Sequence, residues 1–347
     1  MNDFYRGERR LAVAMLVKMH PGLPPPDKRS LPAALFAIFL MTTLLLATSC
    51  TPEPQPVLRI GTNVRPGYEP LYLARELGYF GGDSTIKLVE YTSSSETQRA
   101  FQNNMIDGAA LTLDETLQLL ALGADLDVVL VMDVSHGADV ILARPGTDNF
   151  KQLRNRRVGY EATALGAYML ARALQLADMT PSDIEPVALE SAKHESALTS
   201  GRVDAVITFE PTRTRLLRAG TRQVFDSSQI PGEIVDVLVV RGTFAENHPA
   251  LVEQVRESWF QALGYMKQSA LPAAAIMAER EKIGTEEFLL ALEGILFPDR
   301  AQNHRMLDGP APTLLGPAQR LATLMVENRL IDRLPPIGPR LNRANGH

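Results

Sequence analysis

From Val57 to Arg241 the chain repeats one unit: a short apolar run, a turn, then an amphipathic helical segment. VLRIGT reads as a strand, and PLYLARELG as a helix that Pro70 starts and Gly78 stops. IKLVEYT is a strand with a polar exit, and SSSETQRAFQNNMIDG opens with serines able to cap a helix. GAALTLDETLQLLALGAD supplies a strand, a turn and a helix capped by Asp114, and LDVVLVMD is another strand. Such alternation predicts a mostly parallel sheet covered by helices.

The unit then restarts. RRVGYEATALGAYMLARALQLADM is strand, turn and long helix, DIEPVAL a strand, and AKHESALTSG a helix ending at Gly201. VDAVITFEPTRTRLLRAG repeats the set, with Pro211 in the first turn of its helix and Gly220 past the end. TRQVF and EIVDVLVVRG close the section, and everything after Phe244 reads as helical. Between the two sets lies an echo: Asp139-Val-Ile-Leu-Ala-Arg144 returns as Asp236-Val-Leu-Val-Val-Arg241. The copies bracket the second set, so the chain leaves one lobe at the first and returns at the second. Two such hinge strands leave a cleft between the lobes. One continuous sheet with two adjacent core strands is the other arrangement the pattern allows. The predicted class is α/β, with lobe one at 57–139 and 240–335, lobe two at 140–239 and a tail at 336–347.

Ahead of the first strand, LPAALFAIFLMTTLLLA (Leu31 to Ala47) follows Lys28 and Arg29. It ends in Ala47, Thr48 and Ser49, and then comes Cys50, the single cysteine of 347 residues. Positive flank, apolar core and small-residue exit make the layout of a secretory signal. The run also lies at the short edge of an uncleaved spanning helix, about 17–25 residues. A lone cysteine makes no internal disulfide and supplies no structural zinc site. Ala-Thr-Ser-Cys resembles the lipobox of bacterial lipoproteins, whose cysteine takes a diacylglycerol and becomes the mature N-terminus. The expectation is a signal at 1–49, with Met19 an alternative start, lipidation of Cys50, and a proline-bearing tether at 50–56.

The 49 residues before Cys50 hold six basic and three acidic side chains. Of 35 and 40 in the whole chain, 29 and 37 therefore follow, a formal charge of −8. That balance argues against a nucleic-acid partner, which needs a basic face. A body of this size buries a large core or forms two lobes.

GTNVRPGYEPLYLARELGYF, IDGAALTLDETL, SHGADVILARP, LRNRRVGYEATALGAYML and LTSGRVDAVITFEP stand here in a characteristic order. Together they resemble the substrate-binding proteins of nitrate/taurine/sulfonate-type ABC transporters, a group that includes binders of thiamin pyrimidine precursors. The resemblance runs from about Val57 to Arg241. It implies a type II periplasmic-binding fold, a small-molecule solute clamped by lobe closure, and docking on an ABC permease with its ATPase. A lipid-anchored monomer at the cell envelope, facing the periplasm or the outer side of the cytoplasmic membrane, suits the lipobox.

In an open α/β sheet, ligands sit outside the carboxyl ends of the strands. That rule selects the turns Asn63–Glu69, Thr92–Ser95, Thr112–Glu115, Glu161–Ala164 and Thr208–Glu210. The candidate contacts within them are Tyr68, Ser94, Thr112, Glu161, Thr163, Ala164, Thr208 and Glu210. Glu161-Ala-Thr-Ala164 leads into a long helix, whose free N–H groups favour an anion. Thr163 adds a hydroxyl there, or simply caps the helix. Glu210 would accept hydrogen bonds from an ammonium, amidine or ring N–H, or else serve its own helix start. The resemblance places it on the cleft wall. Tyr68 would stack on a flat ligand or pack on the following helix, and Thr112 would donate to a solute or cap its turn. Glu161, Glu210, Asp114 and Glu115 around one cleft oppose a plain inorganic anion. They favour an amino sulfonate, a zwitterion or an aminopyrimidine, with Arg65 the one cation at these turns.

No enzyme signature competes strongly. There is no G-x-S-x-G, H-E-x-x-H or G-x-x-x-x-G-K. The histidines at 20, 136, 194, 248, 304 and 347 lack metal-like spacing. No cofactor, metal or catalytic residue is expected. A sensory receptor on the same lobes is the alternative, and an enzyme such as a pyrimidine-precursor synthase a weaker one.

Overall fold

A computed structural model of the chain describes residues 56–82, 85–308 and 310–341. The expected signal, Cys50 and all of the tether but Pro56 lie outside the described residues, as does the tail beyond Leu341. The chain begins β1 (Leu58–Asn63), α1 (Glu69–Glu76), β2 (Ile86–Tyr91), α2 (Ser94–Gln102), β3 (Gly108–Thr112), α3 (Leu113–Ala121) and β4 (Asp127–Ser135). Next come β5 (Val140–Ala143), β6 (Arg157–Tyr160), α4 (Ala164–Leu176), β7 (Glu185–Ala188), α5 (His194–Thr199), β8 (Ala205–Thr208), α6 (Thr212–Arg218) and β9 (Arg222–Asp226). β10 (Val235–Val240) is followed by α7 (Gly242–Asn247), α8 (Pro249–Gln268), α9 (Ala270–Glu281) and α10 (Thr285–Leu292). β11 (Ile295–Leu296), α11 (Arg300–Leu307) and α12 (Leu315–Glu327) complete it.

Two sheets result. The first has the order β11-β4-β10-β3-β1-β2, the second β7-β6-β8-β5-β9. β1 runs parallel to β2 and β3, and β6 parallel to β7 and β8. β10 lies antiparallel between β3 and β4, as β5 does between β8 and β9. The echoed strands therefore occupy the same place in each sheet. Each is the inserted antiparallel strand, with the chain crossing just before it. Because β10 belongs to the first sheet, the return crossing precedes Val235, ahead of the boundary expected at 239.

The crossings are tied together. Ser135 Oγ lies 2.8 Å from Ser227 Oγ, which also accepts from the Gly137 amide at 2.6 Å. The Ser227 amide donates to Asp139 O at 2.9 Å, and the Ser135 amide to Ile234 O at 3.0 Å. Such paired segments are the form a hinge takes.

Helices of the C-terminal third cover the first sheet. Trp259 of α8 is wholly buried with Leu71 and Leu73 of α1 and Leu130 of β4. Asn303 of α11 reaches β4, where it accepts from the Val131 amide at 2.8 Å and donates to its carbonyl at 3.0 Å. This stitches the strand beside two irregularities in its pairing with β10. Three local readings change. Thr112, not Asp114, caps α3, because the helix begins directly after the strand with no intervening turn and Asp114 falls inside the first turn. The helical region contains β11, which pairs with β4. Ile337 and Leu341 of the expected tail are buried against the first lobe, with Leu341 bridging Val128.

Candidate functional site

Strands of both sheets end at one seam. The turns after Asn63, Tyr91, Thr112, Tyr160 and Thr208 are those selected from the sequence, and three of them meet at the start of α2. Ser94 Oγ donates to both oxygens of Glu115, at 2.7 and 2.8 Å. Glu115 also accepts from the Thr112 amide at 3.2 Å. From the other lobe, Glu161 Oε1 accepts from the Ser95 amide at 2.9 Å and from its hydroxyl. That hydroxyl also lies 3.0 Å from Glu190 Oε2. The N-terminus of α2, where free N–H groups and the dipole attract negative charge, thus takes its anion from lobe two. Burial raises the Glu161 carboxyl above its ordinary value, and the bonds from Ser95 offset only part of that rise.

Lobe two is shaped to deliver Glu161. Gly166 gives the space: a Cβ there would stand 2.1 Å from the Glu161 carbonyl oxygen. Thr163 Oγ1 caps α4, accepting from the Gly166 amide at 3.5 Å. Ala164 and Tyr168 on the same helix are buried in one apolar cluster with Leu113 and Leu117 of lobe one. Helix start therefore faces helix start, with apolar contact beside the polar one.

Lobe one contributes an acidic floor. Asp236 stands opposite Thr112 on one neighbouring strand and Asp133 on the other. Directly opposed residues of antiparallel strands share a face, so the two aspartates meet. The irregular pairing between Asp236 and Val237 lies beside them, a usual way to re-aim a side chain. Gly67 sits over the pair, since a Cβ there would be 2.0 Å from Asp133 Oδ2. Arg65 is the cation that reaches in. Its Nη2 is 2.6 Å from Asp139 Oδ1, and its guanidinium lies 4.0 Å from the Phe209 ring centroid and 5.8 Å from that of Tyr68.

Burial pushes the Asp236 carboxyl up to about 7, against the pull of Arg65. Asp133 rises well above the usual range through burial and then through Asp236, and Asp114 through burial and then through Glu115. Burial alone would lower the Arg65 guanidinium, but Asp139 and Asp236 hold it well above its ordinary value. Asp133 Oδ2, Asp236 Oδ1 and Asn63 Oδ1 are buried with no hydrogen-bond partner among the described residues. Buried polar atoms are rarely left so, and groups of this kind cluster at functional sites.

The remaining candidates are engaged within lobe two. Thr208 Oγ1 lies 3.3 Å from His194 Nδ1, and burial lowers that imidazole to about 4, so it is neutral. Glu210 accepts from Arg213 Nη1 at 2.9 Å, the Thr214 amide at 3.1 Å and Thr214 Oγ1 at 2.9 Å. Both of its oxygens are thus engaged at its own helix start. Tyr68 is buried beneath the seam beside Arg65. Asp133 and Glu190 lie outside the turns that the strand-exit rule selects, and Ser95 and Phe209 lie inside them without being among the candidate contacts. A single aspartate near the end of the apolar run LDVVLVMD was the one available signal for Asp133. Among the described residues, no group of three or more His, Cys, Asp or Glu is arranged to hold a metal ion.

Known proteins share this architecture. An aliphatic sulfonates-binding protein of Escherichia coli (strain K12) is 25% identical over 322 residues, covering 89% of this chain and 94% of that protein. The crystal structure of the periplasmic aliphatic sulphonate binding protein SsuA from Escherichia coli matches with a TM-score of 0.68 at 22% identity, over 83% of this chain and 98% of that one. SsuA from Xanthomonas axonopodis pv. citri, bound to MOPS, gives 0.71 at 20% identity with the same coverage of each chain. The desulfurization enzyme DSZB gives 0.62 at 16% identity, over 83% of this chain and 99% of its own. The fold is thus that of type II periplasmic binding proteins. A model of the NMT1-like family matches residues 51–280, and the chain belongs to that family.

Proposed function

We propose that the chain is the solute-binding component of an ABC importer, held at the cell envelope by a lipid on Cys50. It performs no chemistry on its solute. The solute is a small polar organic molecule with a cationic or hydrogen-rich part, such as an amino sulfonate, a zwitterion or an aminopyrimidine. The observation that carries this reading is the acidic floor, where Asp133, Asp139, Asp236 and Glu115 gather around the guanidinium of Arg65, and Asp114 stands beside Glu115. Burial makes these acids resist ionising; an ammonium or amidine would both donate to their bare oxygens and stabilise their charged form, whereas a plain anion would do neither. Tyr68, Ser94, Thr112, Thr163, Ala164 and Thr208 line the seam around it. The sulfonate-binding relatives support the transport role, and the acid-rich floor supports a mixed-charge solute over a simple sulfonate.

A thermal-shift panel on the chain from Thr51 onward tests this. Nitrate, bicarbonate, ethanesulfonate, taurine, amino acids, polyamines and aminopyrimidines would be compared. A solute at 100 times its dissociation constant stabilises by about 2.7 kcal/mol. Taurine, zwitterions or aminopyrimidines raise the melting point on this reading. A shift with plain anions alone overturns it. A solute that binds without stimulating any permease-coupled ATPase favours the sensory receptor instead.

A further inference from the structure

The start of α2 lies where the two lobes meet. α2 is nine residues long and opens on a serine run, Ser93-Ser94-Ser95, of which Ser93 caps the helix. A helix start of this kind is a ready seat for a carboxylate, sulfonate or phosphate. Here it is taken by Glu161, 66 residues away on the opposite lobe, through the Ser95 amide and hydroxyl. Further cross-seam contacts surround that bond. Glu190 lies 3.0 Å from Ser95 Oγ and 3.8 Å from Arg99 Nη2, and Ser191 Oγ donates to Thr92 O at 3.5 Å.

We infer that Glu161 is a specificity-determining residue that acts as the protein's own anion: seated on the start of α2, it draws the lobes together and denies that seat to the acidic head group of a solute. The inference rests on the reading that solutes enter the seam between the lobes. Gly166 belongs to the same device, because only the missing Cβ lets the Glu161 backbone approach α4 closely enough to aim the carboxylate outward. Glu115 and Glu190 add negative charge on either side, so an incoming anion would also have to displace repulsion.

The test uses the full-length chain in mild detergent with Glu161→Gln and Glu161→Ala, both checked for folding by circular dichroism. Hydrogen exchange without solute reads the latch directly. Peptides covering Ser93–Gln98 are protected in the parent chain, and exchange rises about tenfold in Glu161→Ala, with Glu161→Gln between them. An unprotected parent, or unchanged exchange in Glu161→Ala, overturns the inference. Calorimetric titration with ethanesulfonate reads the specificity. Binding is absent or weak in the parent and strengthens about tenfold in Glu161→Ala. A parent that binds ethanesulfonate and loses it in Glu161→Ala also overturns the inference. If no solute in the earlier panel binds, the transport reading fails, while the exchange result still decides whether Glu161 is the latch.

Discussion

The two sides of the seam carry similar acids in opposite states. On the lobe-two side each carboxylate has partners: Glu161 has Ser95, Glu190 has Ser95 and Arg99, and Glu210 has Arg213 and Thr214. On the lobe-one side Glu115 and Asp139 are bonded to Ser94 and Arg65, but Asp133 and Asp236 leave buried oxygens without hydrogen bonds among the described residues. Carboxylates bonded to N–H and O–H groups fix geometry, whereas acids that burial keeps from ionising take charge only when donors or a cation reach them. Lobe two thus supplies the closing contacts, and lobe one the acids open to further donors.

Removing Arg65 should break that comparison most severely. Arg65→Ala leaves Asp139 and Asp236 buried without their cation, and a loss of about 3–5 kcal/mol is expected in urea unfolding. A loss below about 1 kcal/mol would mean that water or neighbours already satisfy the acids.

The acidic floor should also reveal itself through pH. Asp236, Asp133 and Asp114 have folded-state carboxyls raised above the unfolded value of about 3.9. Their contribution is fully present below that value and is lost as pH rises through the folded one, about 7 for Asp236. The melting temperature should therefore fall from about pH 5 to about pH 8, and Asp236→Asn should flatten the profile. A profile that rises over this range, unaltered by the substitution, would place these groups in water.

Smaller effects sharpen the contrast on the lobe-two side. Gly166→Ala forces the Glu161 backbone off α4, at about 1–3 kcal/mol, and should speed exchange at Ser95 as removal of the Glu161 carboxylate does. Glu210→Gln should be the mildest, about 0.3–1 kcal/mol of local helix stability with solute affinity unchanged. A tenfold weaker solute titration in Glu210→Gln would return that residue to the cleft wall.

Much of the fold was legible because its signals are local. Pro70, Gly78, Ser93 and Gly220 mark helix ends through backbone geometry that adjoining residues decide, and the strand-exit rule needs only element order. The echo of Asp139 in Asp236 carried more than it disclosed. Asp139 immediately precedes β5, Asp236 is the second residue of β10, and both stand near Arg65. Cys50 and the apolar run before it are equally local features, read from chemistry within a few residues.

Local pattern is enough for the two sets of alternating elements, the turns at their strand ends, and the family resemblance. Which acid is satisfied depends instead on how distant segments pack. Glu161 finds Ser95 across 66 residues, Glu210 turns to its own helix, and Asp133 meets Asp236 through strand register and a local irregularity. The physical reason is that a carboxylate's state depends on burial and on the donors within about 3 Å. Those neighbours are set by packing of distant segments, which no local pattern encodes.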